Sequence, residues 1–594
     1  MTLSTRVRRP SLIAFALVVL MFAAPRLSNL HAAKAEDQAA KPAASGQANR
    51  AATTAQQAAK AATSPARPKL VVILVVDQLR ADYVVKFGSH WTGGLKRLMT
   101  EGAWFRESAY PYQNTVTCAG HSTIATGALP HSHGIVSNSW YDRESGRSVP
   151  CVSDPEMSLV SYGQPPKTTG GTSTKNLRLP TLSDELRAQL PTPPRIVTFS
   201  RKDYTATTMA GGRSDATAWF DGGLASWMTS SAFTKEPVPF LAQYLKTHPV
   251  EADFGKTWTK LLPESAYQYE DDGFAEDTDV WGRTFPHVLK GKGETPDASF
   301  YARWSASPFL DAYLGAMAQH AVDALKLGQG AGTDFLSVSF SALDSVGHDF
   351  GPRSHEVQDL LARLDHTVGS LLAHLDKRVG RANYVLALTA DHGASPIPEQ
   401  MAARGWPAGR FLINDLMARL EKALEPTLGQ GKHVARLSGS EVYFVPGAWR
   451  KLIANPDGLR AAMDAIRSSP GIADVFVGED LQNVNASADD RLRLAAALNY
   501  FPGRSGDLIV VPRPYWHGAS SPTVSAGTGH GTPYDYDQRV PVFLYGYGIK
   551  AGEYMGPAGP QDIAPTLAFL CGITLPAADG TVLSEALTRR GGVN

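Results

Sequence analysis

Cysteine is scarce in this chain of 594 residues: there are three. A fold stapled together by bridges needs more, so a disulfide scaffold is excluded. Neither sign of charge dominates, with Lys+Arg 57 against Asp+Glu 56. Bulk attraction to a polyanion has no basis here, and no stable nucleic-acid partner is expected. Long apolar runs are missing apart from one near the N-terminus, which excludes a polytopic membrane protein. Whole-chain disorder is excluded by 43% hydrophobic residues and balanced charge. What remains is a globular chain, long enough for several domains or for one large domain with insertions.

The single apolar run spans residues 12–24, behind Arg6, Arg8 and Arg9. Small residues follow, and Ala33-Lys34-Ala35 offers an A-x-A cleavage site. This is the layout of a secretory signal peptide, so residues 1–35 are expected to be removed and the protein to be periplasmic or secreted. About 13 residues at ~1.5 Å each fall short of a ~30 Å hydrocarbon core, so no membrane span is expected after processing. Loss of Arg6, Arg8, Arg9, Arg26 and Lys34 takes the formal charge from +1 to −4. Affinity for an anion must then come from local groups. Residues 36–68 are rich in Ala, Gln, Lys, Ser and Thr and read as a flexible linker.

Four apolar runs follow. Residues 69–76 (K-L-V-V-I-L-V-V), Asp334–Phe340, Tyr384–Thr389 and residues 540–545 (V-P-V-F-L-Y) are short and apolar with little alternation. That is how strands buried on both faces read. Residues 356–378 repeat apolar positions every three or four residues, as a helix does, and residues 562–570 are a second candidate. Strand and helix in succession predict an α/β fold: a mostly parallel central sheet flanked by helices. Insertions are expected at about residues 140–330 and 394–529, the second with strand-like and helical stretches of its own. Trp219, Trp227, Trp258, Trp281 and Trp304 in the first insertion read mainly as packing, with one or two free to stack on a ligand.

In such sheets ligands bind beyond the carboxyl ends of the strands. Asp77, Asp344 and the pair Asp391-His392 stand at or just past those ends. Asp344 and His348 are four residues apart, which on a helical turn is one face. His530 lies in Gly529-His530-Gly531, a segment able to approach a metal closely. Three carboxylates and three imidazoles favour Zn²⁺ over Mg²⁺ or Ca²⁺, and six ligands suit two ions rather than one. Residues 111–127 carry a run of hydroxyls before a helix expected to start near Gly120. A hydroxyl at a helix N-terminus is a candidate nucleophile toward an anion, or simply a cap.

The ordered blocks of Asp77, T-C-A-G-H-S-T-I-A-T-G, L-D-S-V-G-H-D-F-G-P, T-A-D-H-G and T-G-H-G-T-P-Y-D-Y-D resemble the alkaline phosphatase superfamily. The nearest branches are the nucleotide pyrophosphatase/phosphodiesterases and the threonine-nucleophile bacterial alkaline phosphatases. The resemblance runs from about residue 69 to the C-terminus and implies an alkaline-phosphatase-like catalytic domain over residues 69–594. By motif it implies Thr117 as nucleophile and two Zn²⁺. One ion would be held by Asp77, Asp391, His392 and Thr117, the other by Asp344, His348 and His530. It further implies that Asn138, Lys202 and the backbone N–H of Cys118 bind the phosphoryl oxygens. Tyr204 stands where an arginine is usual, in Ser200-Arg201-Lys202-Asp203-Tyr204. A sulfatase would need C-x-P-x-R, and C-A-G-H-S lacks it.

The resemblance therefore implies an exported phosphomonoesterase acting on small phosphate esters through a phosphothreonine intermediate. A phosphodiesterase or nucleotide pyrophosphatase with the same site is the alternative. An inert exported zinc-binding protein is the alternative of another class. No pairing of Cys118, Cys151 and Cys571 follows from the sequence.

Overall fold

The computed structural model describes residues 67–166, 170–276, 281–484, 490–521 and 527–588. The expected signal peptide and nearly all of the linker lie outside them. Ten strands make the central sheet: β1 (Leu70–Val76), β2 (Ala103–Phe105), β3 (Leu159–Ser161), β4 (Ile196–Ser200), β5 (Ala216–Asp221), β6 (Ser226–Ser230), β7 (Asp334–Phe340), β8 (Tyr384–Thr389), β9 (Val542–Gly546) and β10 (Gly552–Tyr554). Their order is β10-β2-β9-β8-β1-β7-β4-β5-β6-β3. The middle, β8-β1-β7-β4-β5, is parallel throughout. The pairings β8-β9, β9-β2, β5-β6 and β6-β3 are antiparallel, and β2-β10 is parallel again.

The seven residues of β1 are all buried because the sheet is covered on both sides. Leu70, Val72, Leu74 and Val76 pack with Leu314, Leu360 and Leu371, whereas Val71, Ile73 and Val75 pack with Ile124, Ile563 and Leu567. Each such side chain contributes about 1.5–3 kcal/mol by leaving water. The helices that matter are α1 (Thr117–Thr126), α2 (Asp203–Ala210), α3 (Pro308–Leu325), α4 (Ala342–Phe350), α5 (His355–Arg378) and α6 (Ile563–Cys571). The long α5 starts where the Ser354 side chain accepts from the Val357 N–H at 3.2 Å and carries Lys377 and Arg378 in its last turn.

Two expectations need correction. The stretch at 140–330 is not wholly an insertion, because β3 to β6 supply four strands of the central sheet. Ile196–Ser200 (I-V-T-F-S) and Ala216–Asp221 (A-T-A-W-F-D) are short and rich in Thr and Ser, so their apolar signal is diluted. The run at 540–545 forms Val542–Gly546, antiparallel to its neighbour. Trp219, Trp227, Trp258 and Trp304 are buried core residues. Trp281 packs edge-on against Trp258, with ring centroids 6.2 Å apart.

Residues 394–529 hold a four-stranded antiparallel sheet, in the order Val434–Ser438, Glu441–Phe444, Leu508–Pro512 and Ile472–Val477. The helices Ile413–Leu428 and Pro456–Arg467 cover it around Leu420, Leu424, Val442, Ile466 and Val475. A ribbon pairs Gly409–Leu412 with Trp516–Ala519. Elsewhere, Glu276 and Glu356 are buried carboxyls pushed up by burial to about 8 and about 9. The Nε2 of His287 lies 2.8 Å from Glu356, and burial holds that imidazole neutral, with its pKa lowered to about 4. Among the described residues no helix is long and apolar enough to cross a membrane.

Candidate active site

Strand register brings the chemistry to one edge. Val76 is level with Phe340, Val75 with Thr389 and Ser339 with Ser200, so the chain leaves β1, β7, β8 and β4 side by side. Asp77 follows β1, its N–H donating to the Phe340 carbonyl at 2.9 Å. Asp391 and His392 follow β8, and Lys202 follows β4 at the entry to α2. Asp344 and His348 share a face of α4, with Oδ1 and Nε2 3.2 Å apart. Helix α1 starts at Thr117, three residues before the expected position, because Val116 is extended and Gly120 is helical rather than a break. Gly120 has another purpose: a Cβ there would stand 2.2 Å from the Asp391 carbonyl oxygen.

Around Thr117 the groups converge. Its Oγ1 is 3.2 Å from His392 Nε2 and 3.3 Å from Lys202 Nζ. Asp77, Asp391 and His392 bring ligand atoms within 4.8 Å of one another, and so do Asp344, His392 and His530. His392 thus stands in both groups, and its ring stacks on that of His530 with centroids 3.5 Å apart. Each imidazole is oriented by a backbone carbonyl at Nδ1: His348 by Thr528 at 2.8 Å, His392 by Gly393 at 2.9 Å and His530 by Thr115 at 2.9 Å. All three Nε2 atoms therefore face the carboxylates, the arrangement that metal-binding histidines adopt.

Charge balance gives the same reading. Asp77 and Asp391 are fully buried and Asp344 is nearly so. Lys202 Nζ pairs with Asp77 Oδ2 at 2.5 Å and with Asp344 Oδ2 at 2.7 Å. One ammonium cannot balance three buried carboxylates, and neither Asp77 Oδ1 nor Asp391 Oδ2 receives a hydrogen bond. Burial, with Asp344 and Asp391 nearby, raises the Asp77 carboxyl well above its usual range. Burial opposes ionisation of Asp344 too, but Lys202, His348 and His530 outweigh it and hold this carboxyl well below its ordinary value. Burial and its imidazole neighbours keep His530 neutral. Burial lowers His392 as well, whereas Asp344 outweighs burial at His348 and raises that imidazole. Buried carboxylates with spare lone pairs beside convergent imidazoles are what divalent cations require, so the residues fit metal.

The expected phosphate-binding groups are close by, with one difference. The Cys118 N–H donates to Asn138 Oδ1 at 2.8 Å rather than facing the cleft. That bond fixes the amide so that Nδ2 is the group Asn138 can offer a ligand. Tyr204 packs beside Cys118, Ile135, Val136 and Trp140, and the Lys202 ammonium lies 6.0 Å from the centre of its ring. A disulfide joins Cys118 to Cys151, tying the first turn of α1 to the hairpin that follows Asn138. Cys571 is buried on α6, outside that bridge.

Two contributors had no role assigned from the sequence. Gln78, at φ 69°, donates from Nε2 to Asp344 Oδ1 at 2.9 Å and from its backbone N–H to Asp391 Oδ1 at 3.2 Å. It thereby ties two carboxylates that different strands deliver. His121 lies with Nδ1 2.9 Å from the Thr117 carbonyl and 3.3 Å from Asp391 Oδ2, and with Nε2 2.7 Å from Ser339 Oγ. The T-x-x-x-H spacing marked His121, though not its role as a prop between helix and sheet.

Comparison with known proteins gives concordant matches. A profile of the family described as type I phosphodiesterase / nucleotide pyrophosphatase matches residues 71–533. Alkaline phosphatase PafA of Elizabethkingia meningoseptica is 32% identical over 534 residues, covering 88% of this chain and 95% of PafA. Alkaline phosphatase PhoV of Synechococcus elongatus is 30% identical over 537 residues, covering 88% and 93%. The crystal structure of wild-type PafA matches with a TM-score of 0.78 at 31% identity, over 88% of this chain and 99% of that one.

Proposed function

Because the chain belongs to the type I phosphodiesterase / nucleotide pyrophosphatase family and is a phosphoric ester hydrolase, we propose that it is a phosphomonoesterase of the alkaline phosphatase kind, exported and dependent on two Zn²⁺. The observation that carries this reading is the Thr117 hydroxyl at the start of α1, within 3.3 Å of both His392 and Lys202. Asp77, Asp391 and His392 with Thr117 would hold one ion, and Asp344, His348 and His530 the other; when bound, the ions supply Lewis-acid charge that favours an ionised hydroxyl and a departing oxygen.

Thr117 Oγ1 attacks phosphorus in line, and the ester P–O bond breaks as the new P–O bond forms. The alcohol leaves on the side away from Thr117 and takes up a proton. Water then attacks the phosphothreonine from that vacated side, releasing phosphate and the hydroxyl. Asn138 Nδ2 and the Lys202 ammonium hold the non-bridging oxygens, and the free N–H groups of the first turn of α1 add positive potential. Burial opposes the charge on Lys202, but Asp344 and Asp77 outweigh it and keep the ammonium protonated.

Thr117→Ala tests the assignment. It should lower kcat by about 10³-fold or more while metal content, read by elemental analysis, persists. Near-normal turnover would remove Thr117 from the mechanism.

A second reading, phosphodiesterase, is favoured by Tyr204. A monoester dianion gains from a bidentate guanidinium, whereas a phenol offers one neutral hydrogen bond. A diester carries one charge and loses less by the exchange. Parallel kcat/KM values for p-nitrophenyl phosphate and bis-p-nitrophenyl phosphate discriminate the two, and a diester preference above about tenfold would overturn the first.

A further inference from the structure

Beside His530 lies a cavity of about 360 Å³ that the catalytic groups do not fill. Its walls come from two sources. His530 and Val116, next to the nucleophile, close the catalytic side. Phe411, Leu416, Leu437, Trp516 and His517, from the segment between Asp391-His392 and His530, close the other. The ribbon bearing Phe411 and His517 is clamped to the His530 loop, because Arg410 donates to Glu399 at 2.7 and 3.0 Å and to the Gly527 carbonyl at 2.7 Å. Polar and apolar groups share these walls, and His517 lines the space with a buried Nε2 that has no hydrogen-bond partner among the described residues. A turn of that ring about χ2 would bring an unpartnered nitrogen to a ligand group in the cavity.

We propose that this cavity receives the alcohol part of the phosphate ester, and that it selects an aromatic alcohol whose ring carries a polar substituent able to hydrogen-bond to His517. The inference rests on the phosphomonoesterase reading and names the substrate class of the same site. Position supports it. On the proposed mechanism the alcohol departs on the side away from Thr117, and the cavity is lined by His530 and by neither Lys202 nor Tyr204. Its volume is within the range of small-molecule sites and suits a single ring system. Phe411, Leu416, Leu437 and Trp516 offer the ring apolar contact, and His517 offers its substituent a polar one.

The test uses the purified, metal-loaded enzyme with methyl, phenyl and 4-hydroxyphenyl phosphate. Ser440, on the same wall, is replaced by a bulky residue in Ser440→Trp, and the polar partner is removed in His517→Phe. Ser440→Trp should lower the phenyl-to-methyl ratio of kcat/KM by about tenfold, since intrinsic ester reactivity cancels between variants. His517→Phe should lower the ratio of 4-hydroxyphenyl to phenyl phosphate by a similar factor. Binding gives a readout independent of turnover: calorimetry should show phenylphosphonate binding the parent enzyme more tightly than methylphosphonate, with the advantage lost in Ser440→Trp. Unchanged ratios in folded variants, or equal affinities for the two phosphonates, would overturn the proposal. Hydrolysis of none of the three esters, with phenylphosphonate still preferred, would instead count against the phosphomonoesterase reading and leave the cavity assignment standing.

Discussion

Gly120→Ala sets two effects of opposite sign against each other. In an exposed helix the change would stabilise by about 1 kcal/mol, since alanine is the better helix former. Here the added methyl would lie 2.2 Å from the carbonyl oxygen and 2.7 Å from the Cβ of Asp391. Ordinary contact begins near 3.4 Å, so helix and strand end must separate by about 1 Å. The strand end has no room to retreat. Asp391 Oδ1 is held by the N–H groups of Gln78 and His392, and Gly393 already lies so close to the Tyr536 carbonyl that a Cβ there would be 2.1 Å from it. Overpacking of this kind costs about 1–3 kcal/mol, which outweighs the helix gain and leaves a net loss of about 0–2 kcal/mol. The larger effect falls on chemistry: moving Asp391 and His392 relative to Thr117 by about 1 Å should lower kcat by ~10²-fold. Thermal melts and steady-state kinetics on one sample read both quantities. A variant that melts at or above the parent, with turnover within about threefold, would refute the spacing argument.

Other outcomes follow from the same geometry. Tyr204→Arg should raise kcat/KM for phosphate monoesters selectively over diesters, and absence of any selective gain would show that position 204 does not reach the phosphate. Reduction of Cys118–Cys151, 33 residues apart, should lower the unfolding free energy by about 3–4 kcal/mol in urea titrations with and without reductant; coincident curves would show that the bridge constrains nothing. Glu276 and Glu356 keep protons in the folded state up to about pH 8 and about pH 9 that the unfolded chain loses near its ordinary carboxyl value of 4.5. Stability should therefore fall as pH rises from about 4.5 and level off past about 9, and Glu276→Gln with Glu356→Gln should flatten the decline in the urea midpoint. Retention of the full slope in that double variant would place its origin elsewhere.

Legibility in the sequence followed burial and spacing. β1, β7 and β8 are buried on both faces, so their residues had to be apolar without alternation, and they read as strands directly. Asp77, Asp344, His348, Asp391 and His392 were legible because they follow such runs, and His530 because glycines flank it. β4 and β5 were not, because Thr, Ser and Asp break their apolar pattern within an apparent insertion. Gln78 was invisible for a different reason. Its role depends on a positive φ and on two carboxylates delivered by remote strands, and no local pattern encodes either. The Cys118–Cys151 pairing needed three-dimensional proximity, and Gly120 read as a helix boundary because its close approach to Asp391 lies in tertiary packing.

The two outermost members of the central sheet, Leu159–Ser161 and Gly552–Tyr554, are only three residues each. Backbone groups left open at the rim are thus too few to template the addition of a foreign strand. So large a sheet would otherwise be a standing hazard for strand-to-strand self-association, and its short rims take away the template.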